Sequence, residues 1–572
     1  MLINIPFIRA LLLSGVFILP GCNDDLADAV SQPVASPAAV STEASVLKPP
    51  NVLVVLADDL GYTDLGFMGS EIDTPNLDML AAGGTIFSNF YSSPTCSPTR
   101  AMLLSGADSH TAGLGNMAST MAPNQVGHPG YEGFLNDSVV SLATRLRDAG
   151  YQTYMSGKWH LGMSEELSPT ARGFDRSFVL TGGGGGHFDH LGLFGGRGSK
   201  ALYREDGKVV SLPDNFYSSK SYVDKLIGYL EDKNDEKPFF AYLAFTAPHW
   251  PLQAPASAIK KYKGRYDKGY AALHSQRLAR LKASGFLPKT ITINPSQLKK
   301  AWDGLNEADK RDQARKMEVY AAMVDQLDVH LGRLLDYLER MGERDNTVIV
   351  FMSDNGAEGH NIDEMFGGSI IQDWITQCCD NTYDNIGNYN SYVWTGPDWA
   401  QASSIPSRLY KGYPTEGGIR VPAFVNYPAT IDPGRVSNQL ASVMDIFPTV
   451  LDIAGAWPIT EDLQQHHAII EGRTLLPYLQ GATSSVRATD EGIGWELFGR
   501  RAYRQGPWKI LSMYTVDAGP GKWSLYNLDN DPSESHDLSS DFPDKLTELI
   551  ARWDAYASAH GVILPDRMFP GI

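Results

Sequence analysis

Cysteine is scarce in this chain: there are 4 among 572 residues, at positions 22, 96, 378 and 379. Adjacent cysteines rarely bridge, because disulfide geometry is hard to meet across one peptide bond. A disulfide framework is therefore excluded, and Cys378 and Cys379 read as buried or loop thiols. Positive charge is also short, with 48 Lys and Arg against 66 Asp and Glu and a formal net charge of -18. That summed field repels nucleic acid and anionic membrane surfaces, so neither is expected as a general partner. An anionic substrate would need a local cluster of Lys, Arg and metal inside a cleft to override the background. The apolar run near the start, Ala10 to Leu19, falls short of the roughly 20 residues of a spanning helix.

What remains is ample material for a core. With 43% hydrophobic and 20% charged residues, 55 Gly and 34 Pro, the composition is that of a large, loop-rich globular protein. Arg9, the apolar run and then Leu19-Pro20-Gly21-Cys22 form the pattern of an export signal. The small residue before the cysteine resembles a bacterial lipoprotein cleavage box, which would make Cys22 the lipidated first residue; an ordinary cleaved signal is the alternative. Either way the chain is expected outside the cytoplasm of a bacterium, periplasmic or membrane-anchored through lipid. Residues 23–48 are small, polar and Pro-containing, as in a flexible tether.

Asn51 to Ala57 is a β-branched apolar run suited to a strand buried on both faces. Similar runs recur at Tyr151–Met155, Phe239–Phe245, Thr347–Met352 and Val421–Asn426. Helical patterns lie between them at Asp137–Ala149, Tyr222–Leu230, Ala314–Met341 and Asn438–Ala454. This alternation predicts an α/β fold with a mostly parallel sheet covered by helices on both faces. No internal repeat is present. From about residue 490 the texture changes to short aromatic-rich strands and a helix at Pro543–Ala559, a small antiparallel sheet plus helix. The expected organisation is a signal at 1–22, a tether at 23–48, a catalytic domain at 49–489 and a C-terminal subdomain at 490–572.

In an open parallel sheet, ligands sit beyond the carboxyl ends of the strands. Asp58-Asp59 follow the first run, Lys158-Trp159-His160 the second, His249 the third and Asp354-Asn355 the fourth. Asp58, Asp59, Asp354 and Asn355 are hard oxygen donors that suit Ca²⁺ or Mg²⁺ and not zinc. An Asp-Asp pair alone is equally well a strand-end cap; its pairing with SDNG after another strand favours the metal. Lys158 and His160 share one face of an extended segment while Trp159 turns to the core, although GKWH alone would also suit a surface turn. His249, in PHWP, is either a proton donor or a satisfied core histidine. Cys96 opens the stretch CSPTR, in which Ser97 and Pro98 read as the cap and first residue of a helix. That reading puts Cys96 at the helix's positive end, where anions collect, with Arg100 in the first turn. A thiolate nucleophile would lack its usual His and Asn partners, and soft sulfur does not suit hard cations, so an oxygen at position 96 would serve better.

CSPTR, continued by LLSG at 103–106, resembles the signature of the sulfatase family, whose cysteine is oxidised to Cα-formylglycine. ADDLG at 57–61, GKWHLG at 157–162, APHWP at 247–251, SDNG at 353–356 and SRLYKGYPTEGGIRVP at 407–422 extend the resemblance from about residue 50 to the C-terminus. With YVWTGPDWAQA at 392–402, the chain is similar to the bacterial arylsulfatase branch. The resemblance implies an alkaline-phosphatase-like fold and one Ca²⁺ held by Asp58, Asp59, Asp354, Asn355 and the formylglycine derived from Cys96. It also implies that Arg100 holds the hydrated aldehyde, Lys158 and Lys411 bind sulfate oxygens, His160 contacts residue 96 and His249 protonates the leaving group. One hydroxyl of the hydrate would attack sulfur, its proton passing to Asp354, to give a covalent sulfo-enzyme; the other would expel sulfate by re-forming the aldehyde. The expected partners are a small-molecule sulfate ester, aryl or alkyl, and a formylglycine-generating or maturase enzyme.

Three further stretches bear on specificity. Thr181–His190, TGGGGGHFDH, would bring backbone and His187 or His190 to a pocket mouth, or is a plain loop. Tyr262–Asn306 and His360–Asn390 are candidate rim insertions, while Glu416 and Arg420 are expected to be structural. The rival functions are a phosphonate monoester or phosphodiester hydrolase of the same superfamily, an inactive surface binding lipoprotein, and a sulfuryl transferase.

Overall fold

A computed structural model describes residues 49–193, 200–291, 293, 295–362, 368–456, 468–515 and 519–567. The expected signal, the tether and Cys22 lie outside the described residues. The strands are β1 (Asn51–Ala57), β2 (Thr85–Tyr91), β3 (Gln152–Lys158), β4 (Arg176–Leu180), β5 (Tyr203–Glu205), β6 (Lys208–Val209), β7 (Phe239–Ala244), β8 (Thr347–Ser353), β9 (Arg420–Asn426), β10 (Arg435–Ser437) and β11 (Ala441–Ser442). They form one 11-stranded sheet in the order β10-β2-β9-β8-β1-β7-β3-β4-β5-β6, with β11 also on β2. The four strands whose ends carry candidate chemistry are neighbours. β1 lies parallel to β8 on one side and β7 on the other, and β7 lies parallel to β3. β9 runs antiparallel to both of its neighbours, β2 and β8.

Successive side chains of a strand point to opposite faces. Leu53, Val55 and Ala57 of β1 join Ile349 and Phe351 of β8 in one core; Val52, Val54 and Leu56 join Val348, Val350 and Met352 in another. Because both faces are apolar, helices must cover both. Ser218–Glu231 and the 34-residue Glu307–Arg340 pack on the first face. Cys96–Ser105, Leu142–Asp148 and Ile446–Ile453 pack on the second. Among the described residues, no helix is long and apolar enough to cross a membrane.

Local chemistry moved several boundaries. The helix predicted over Asp137–Ala149 begins at Leu142, because Ser141 caps it by accepting the Thr144 N–H. Asn306 caps Glu307–Arg340 in the same way, so that helix starts ahead of its apolar pattern. Of the helix predicted over Asn438–Ala454, only Ile446–Ile453 is α-helical. Its first half is β11 and a 3-10 turn held by a capping box between Ser442 and Asp445. Cys378 and Cys379 are bridged, contrary to the free thiols expected. The helix Ser369–Cys378 ends between them and Cys379 is already extended, a change of backbone direction that brings the sulfurs together.

β12 (Gly492–Leu497), β13 (Arg500–Gln505), β14 (Trp508–Thr515) and β15 (Gly519–Asn527) make a four-stranded antiparallel sheet backed by the helix Pro543–Ala559. This unit docks on the main body: Trp495 Nε1–H donates to the Ser92 carbonyl at 2.9 Å, and Lys509 pairs with Glu416 at 2.9 Å.

Candidate active site

Each candidate residue leaves the sheet from backbone that is still bonded across it. Asp58 N–H donates to the Ala247 carbonyl at 3.1 Å, Asp354 N–H to Ala57 at 3.1 Å and Trp159 N–H to Leu180 at 2.9 Å. Asp59 and His160 then adopt left-handed backbone, with φ of +65° and +56°, turning the chain sharply just past β1 and β3. β3 runs beyond its predicted end to Lys158, and Gly157 makes this possible. A Cβ at Gly157 would lie 1.8 Å from the Ala244 carbonyl oxygen of β7. Cys96 is the first residue of the helix Cys96–Ser105, whose cap is Thr95 and not Ser97. The thiol still lies at the helix's positive end.

Asp58, Asp59, Cys96 and Asp354 are all buried, and each offers one ligand atom within 4.8 Å of the others. Cys96 Sγ lies 3.5 Å from Asp58 Oδ1 and 3.7 Å from Asp59 Oδ1. Asn355 Nδ2 donates to Asp59 Oδ1 at 2.7 Å, leaving Asn355 Oδ1 buried with no partner. Hard oxygens around an orphaned amide oxygen fit a Ca²⁺ or Mg²⁺ ion. Lys158 Nζ donates to both oxygens of Asp58 at 2.8 and 2.7 Å. Lys411 Nζ bridges Asp59 at 2.9 Å and Glu358 at 3.1 Å. Arg100 grips Asp354 Oδ2 through Nε at 3.1 Å and Nη2 at 2.7 Å, and its Nη1 donates to the Lys158 carbonyl at 2.9 Å. Arg100 thus ties Asp354 to the β3 backbone within the same cluster as Cys96. Four carboxylates (Asp58, Asp59, Asp354, Glu358) thus meet three cations (Arg100, Lys158, Lys411). A divalent cation would turn this deficit into an excess of positive charge, which suits an anionic ester.

Burial sets the titration of the site. It pushes the Asp58 carboxyl up to about 8, with Lys158 offsetting only part, and it raises Asp59 likewise against Lys411. Burial also works upward on Asp354, but Arg100, then Lys158 and Lys411, hold that group below its ordinary value. Burial and the Asp354 charge push the Cys96 thiol well above its ordinary value, so the unmodified side chain is no thiolate nucleophile. His160 and His249 are driven well below theirs by burial and then by the nearby lysines. His249 Nδ1–H donates to the Trp250 carbonyl at 2.6 Å, which leaves Nε2 facing Asp59 Oδ2 at 3.6 Å.

Cys96, His160, His249 and Lys411 line one cavity of about 170 Å³, together with Glu358 and His360. The glycine run lines it too, at Gly183. A Cβ at Gly183 would come within 3.0 Å of the His160 ring, and one at Gly184 within 3.1 Å of the His249 ring. The glycines therefore leave room for the two imidazoles. His187 is not at the mouth: it is buried, with Nε2–H donating to the His249 carbonyl at 2.9 Å and Nδ1 on Ser218 Oγ at 2.7 Å. His190 also bonds away from the cavity, accepting the Leu212 N–H at 3.1 Å. Of the proposed rim insertions, His360 and Ile362 reach the cavity, whereas Tyr262–Asn306 contributes nothing to its lining. Glu416 accepts from the Tyr91 hydroxyl and pairs with Lys509, and Arg420 donates to the Ser88 carbonyl and the Tyr62 hydroxyl, both outside the cavity. Glu358 and Phe498 are lining residues that reading the sequence missed, and His360 was named only as the start of a rim insertion. The only available signal was an acid and a histidine two apart, just after SDNG.

Fold and site together define an α/β protein whose buried, charged cavity suits an anionic ester. The sequence matches the family model described as Sulfatase over residues 50–456. An uncharacterized sulfatase of Schizosaccharomyces pombe is 45% identical over 535 residues, covering 91% of this chain and 95% of its own. An arylsulfatase of Klebsiella aerogenes is 40% identical over 411 residues, covering 72% of this chain and 87% of its own. The crystal structure of Ps i-CgsB in complex with k-i-k-neocarrahexaose has a TM-score of 0.65 and 25% identity, covering 91% of this chain and 95% of that one. The chain belongs to the sulfatase family, whose reaction is the hydrolysis of sulfate esters.

Proposed function

We propose that the protein cleaves aryl or alkyl sulfate monoesters, with residue 96 as formylglycine and Ca²⁺ bound by Asp58, Asp59, Asp354 and Asn355. The observation that carries this reading is the convergence of four strand ends and one helix start on Cys96. One hydroxyl of hydrated formylglycine would attack sulfur, its proton passing to Asp354 as the ester S–O bond breaks, and the second, on losing its proton, would re-form the aldehyde and expel sulfate; a bound Ca²⁺ would supply positive charge to the site. Lys158 and Lys411, already aimed at Asp58 and Asp59, bind the outer sulfate oxygens. One such charge pair at 4 Å is worth roughly 4 kcal/mol at an effective dielectric near 20. Arg100 fixes Asp354, and His160 stands over residue 96. His249 delivers the proton to the leaving oxygen from Nε2. The bound ester's negative charge favours that proton, and its transfer contributes on the order of 10²- to 10⁴-fold, most for poor leaving groups.

On this reading a maturation enzyme oxidises Cys96 before folding buries it, and the N-terminal signal pattern supports export from the cytoplasm. The test is a sulfate-release screen over aryl, alkyl and carbohydrate sulfates, using protein whose residue 96 is verified as the aldehyde by mass spectrometry. Phosphate mono- and diesters serve as comparators. Sulfate release from at least one class, faster than any phosphoester turnover, is the expected result. Faster phosphodiester turnover would transfer the assignment to that activity.

A further inference from the structure

The reaction proposed above leaves one built feature of the cavity unused. Glu358 is buried between two partners: Lys411 Nζ at 3.1 Å and His360 Nδ1 at 2.7 Å. It also accepts the His360 backbone N–H at 2.8 Å, so the imidazole is fixed at both ends of its own residue. The ring is clamped as well, with the Tyr410 edge 5.4 Å away and the Tyr413 face 5.9 Å away at an interplanar angle of 10°. His360 is 7% exposed, and its Nε2 is buried without a partner while the residue lines the reaction cavity.

The carboxylate on Nδ1 decides the tautomer. In the neutral ring Nδ1–H donates to Glu358 and Nε2 presents a lone pair. A buried acceptor left unfilled is destabilising until a donor arrives, and a pre-oriented one discriminates strongly for ligands that bring the donor. Lys158, Lys411 and His249 face the carboxylates of the reacting centre, whereas among its hydrogen bonds and ion pairs His360 has no link to them except through Glu358. The sulfuryl end is therefore already provided for, and what remains of the ester must occupy the rest of the same cavity.

Resting on the sulfatase reading, we infer that His360 recognises the leaving group: its Nε2 accepts a hydrogen bond from a hydroxyl on the alcohol portion of the ester, with Glu358 positioning the ring. The preferred substrates are then sulfate esters of polyhydroxylated alcohols or phenols and not of bare hydrocarbons.

The experiment compares kcat/KM for phenyl sulfate, the three hydroxyphenyl sulfates and hexose monosulfates, using full-length protein with verified aldehyde, as wild type and as His360→Phe, His360→Gln and Glu358→Gln. Wild type is expected to favour at least one hydroxylated ester over phenyl sulfate by about 10-fold. His360→Phe should erase that preference, and His360→Gln, whose amide oxygen can stand near Nε2, should restore part of it. Glu358→Gln should weaken the preference and also raise KM for every ester, through Lys411. The ratio between substrates is the readout, because a purely structural role would depress all of them alike. Circular dichroism and melting temperature check folding, and if His360→Phe does not fold, the ratio in His360→Gln decides. Wild type that cleaves phenyl sulfate without favouring any hydroxylated ester overturns the inference and spares the sulfatase reading, as does a His360 variant that keeps the full preference. Verified-aldehyde protein that releases sulfate from none of these esters overturns both.

Discussion

The stretch between β1 and β2 feeds two buried ionic clusters that are opposites in electrostatic character. Asp64 and Glu71 surround Arg277. Its Nε and Nη2 meet Glu71 at 2.9 Å each, and its Nη1 meets Asp64. The Tyr266 and Tyr320 hydroxyls donate to Glu71 and Asp64 at 2.6 and 2.7 Å. Burial works to raise Glu71, but Arg277 and its hydrogen bonds bring the carboxyl down to about 2. A few residues earlier, Asp58 is pushed up to about 8 although Lys158 touches both of its oxygens. The first cluster is complete within the chain and ties the 262–306 insertion to the body. The second is short of positive charge and carries orphaned acceptors at Asn355 and His360. Buried charge that closes on itself is architecture; buried charge left open marks a place where something binds.

The largest test of that contrast removes the reacting group. Cys96→Ala should lower sulfate release by at least about 10⁴-fold and leave the melting temperature within a few degrees, since the thiol completes no ion pair. Arg277→Met should do the reverse. Leaving two buried carboxylates uncompensated is expected to destabilise the fold by about 3–5 kcal/mol in urea titration, with turnover per folded molecule retained. If Arg277→Met lost turnover in proportion to Cys96→Ala, the contrast would break.

Removing divalent cation probes the open cluster directly. The unfolded chain titrates Asp58 near 4 and the folded one near 8, so between those values the folded state holds more protons and stability falls as pH rises. Above about pH 6.5, where the depressed His160 and His249 are neutral folded or unfolded, chelated protein should melt at steadily lower temperature up to about pH 8, while Ca²⁺-loaded protein should melt higher with a flatter dependence, read by calorimetry. Equal slopes with and without Ca²⁺ would mean that Asp58 does not face the ion. The smallest effect is expected at the Cys378–Cys379 bridge, which closes almost no loop. Replacing both residues with Ser should cost about 1 kcal/mol and change turnover by less than threefold.

The central strands and the residues at their ends were legible because a strand buried on both faces reads as an unbroken apolar run that stops where the polar residues begin. β2 was not, since TIFSNFY carries Ser88 and Asn89 and its register shifts between Phe87 and Phe90. Arg100 was legible as a candidate, but its contact with Asp354 was not, because that distance depends on how β8 lies beside β1. His360 was illegible as a recognition residue: Tyr410, Lys411 and Tyr413, which orient it, arrive from a distant segment. The bridge at Cys378 was missed because the geometric rule ignored a helix ending between the two sulfurs.

Phe498, at the tip of the β12–β13 hairpin with φ of +55°, forms part of the cavity wall. Two residues on, Arg500 lies 3.9 Å over the Tyr413 ring and donates to the Gly412 carbonyl at 2.8 Å, bracing the segment that bears Lys411. The family match ends at 456, yet Phe498 beyond it lines the cavity, so the chamber wall extends past the matched residues. Trimming the chain to those residues would strip one side from the reaction chamber, and a library that varies the 498 tip would retune substrate fit without touching any reacting group.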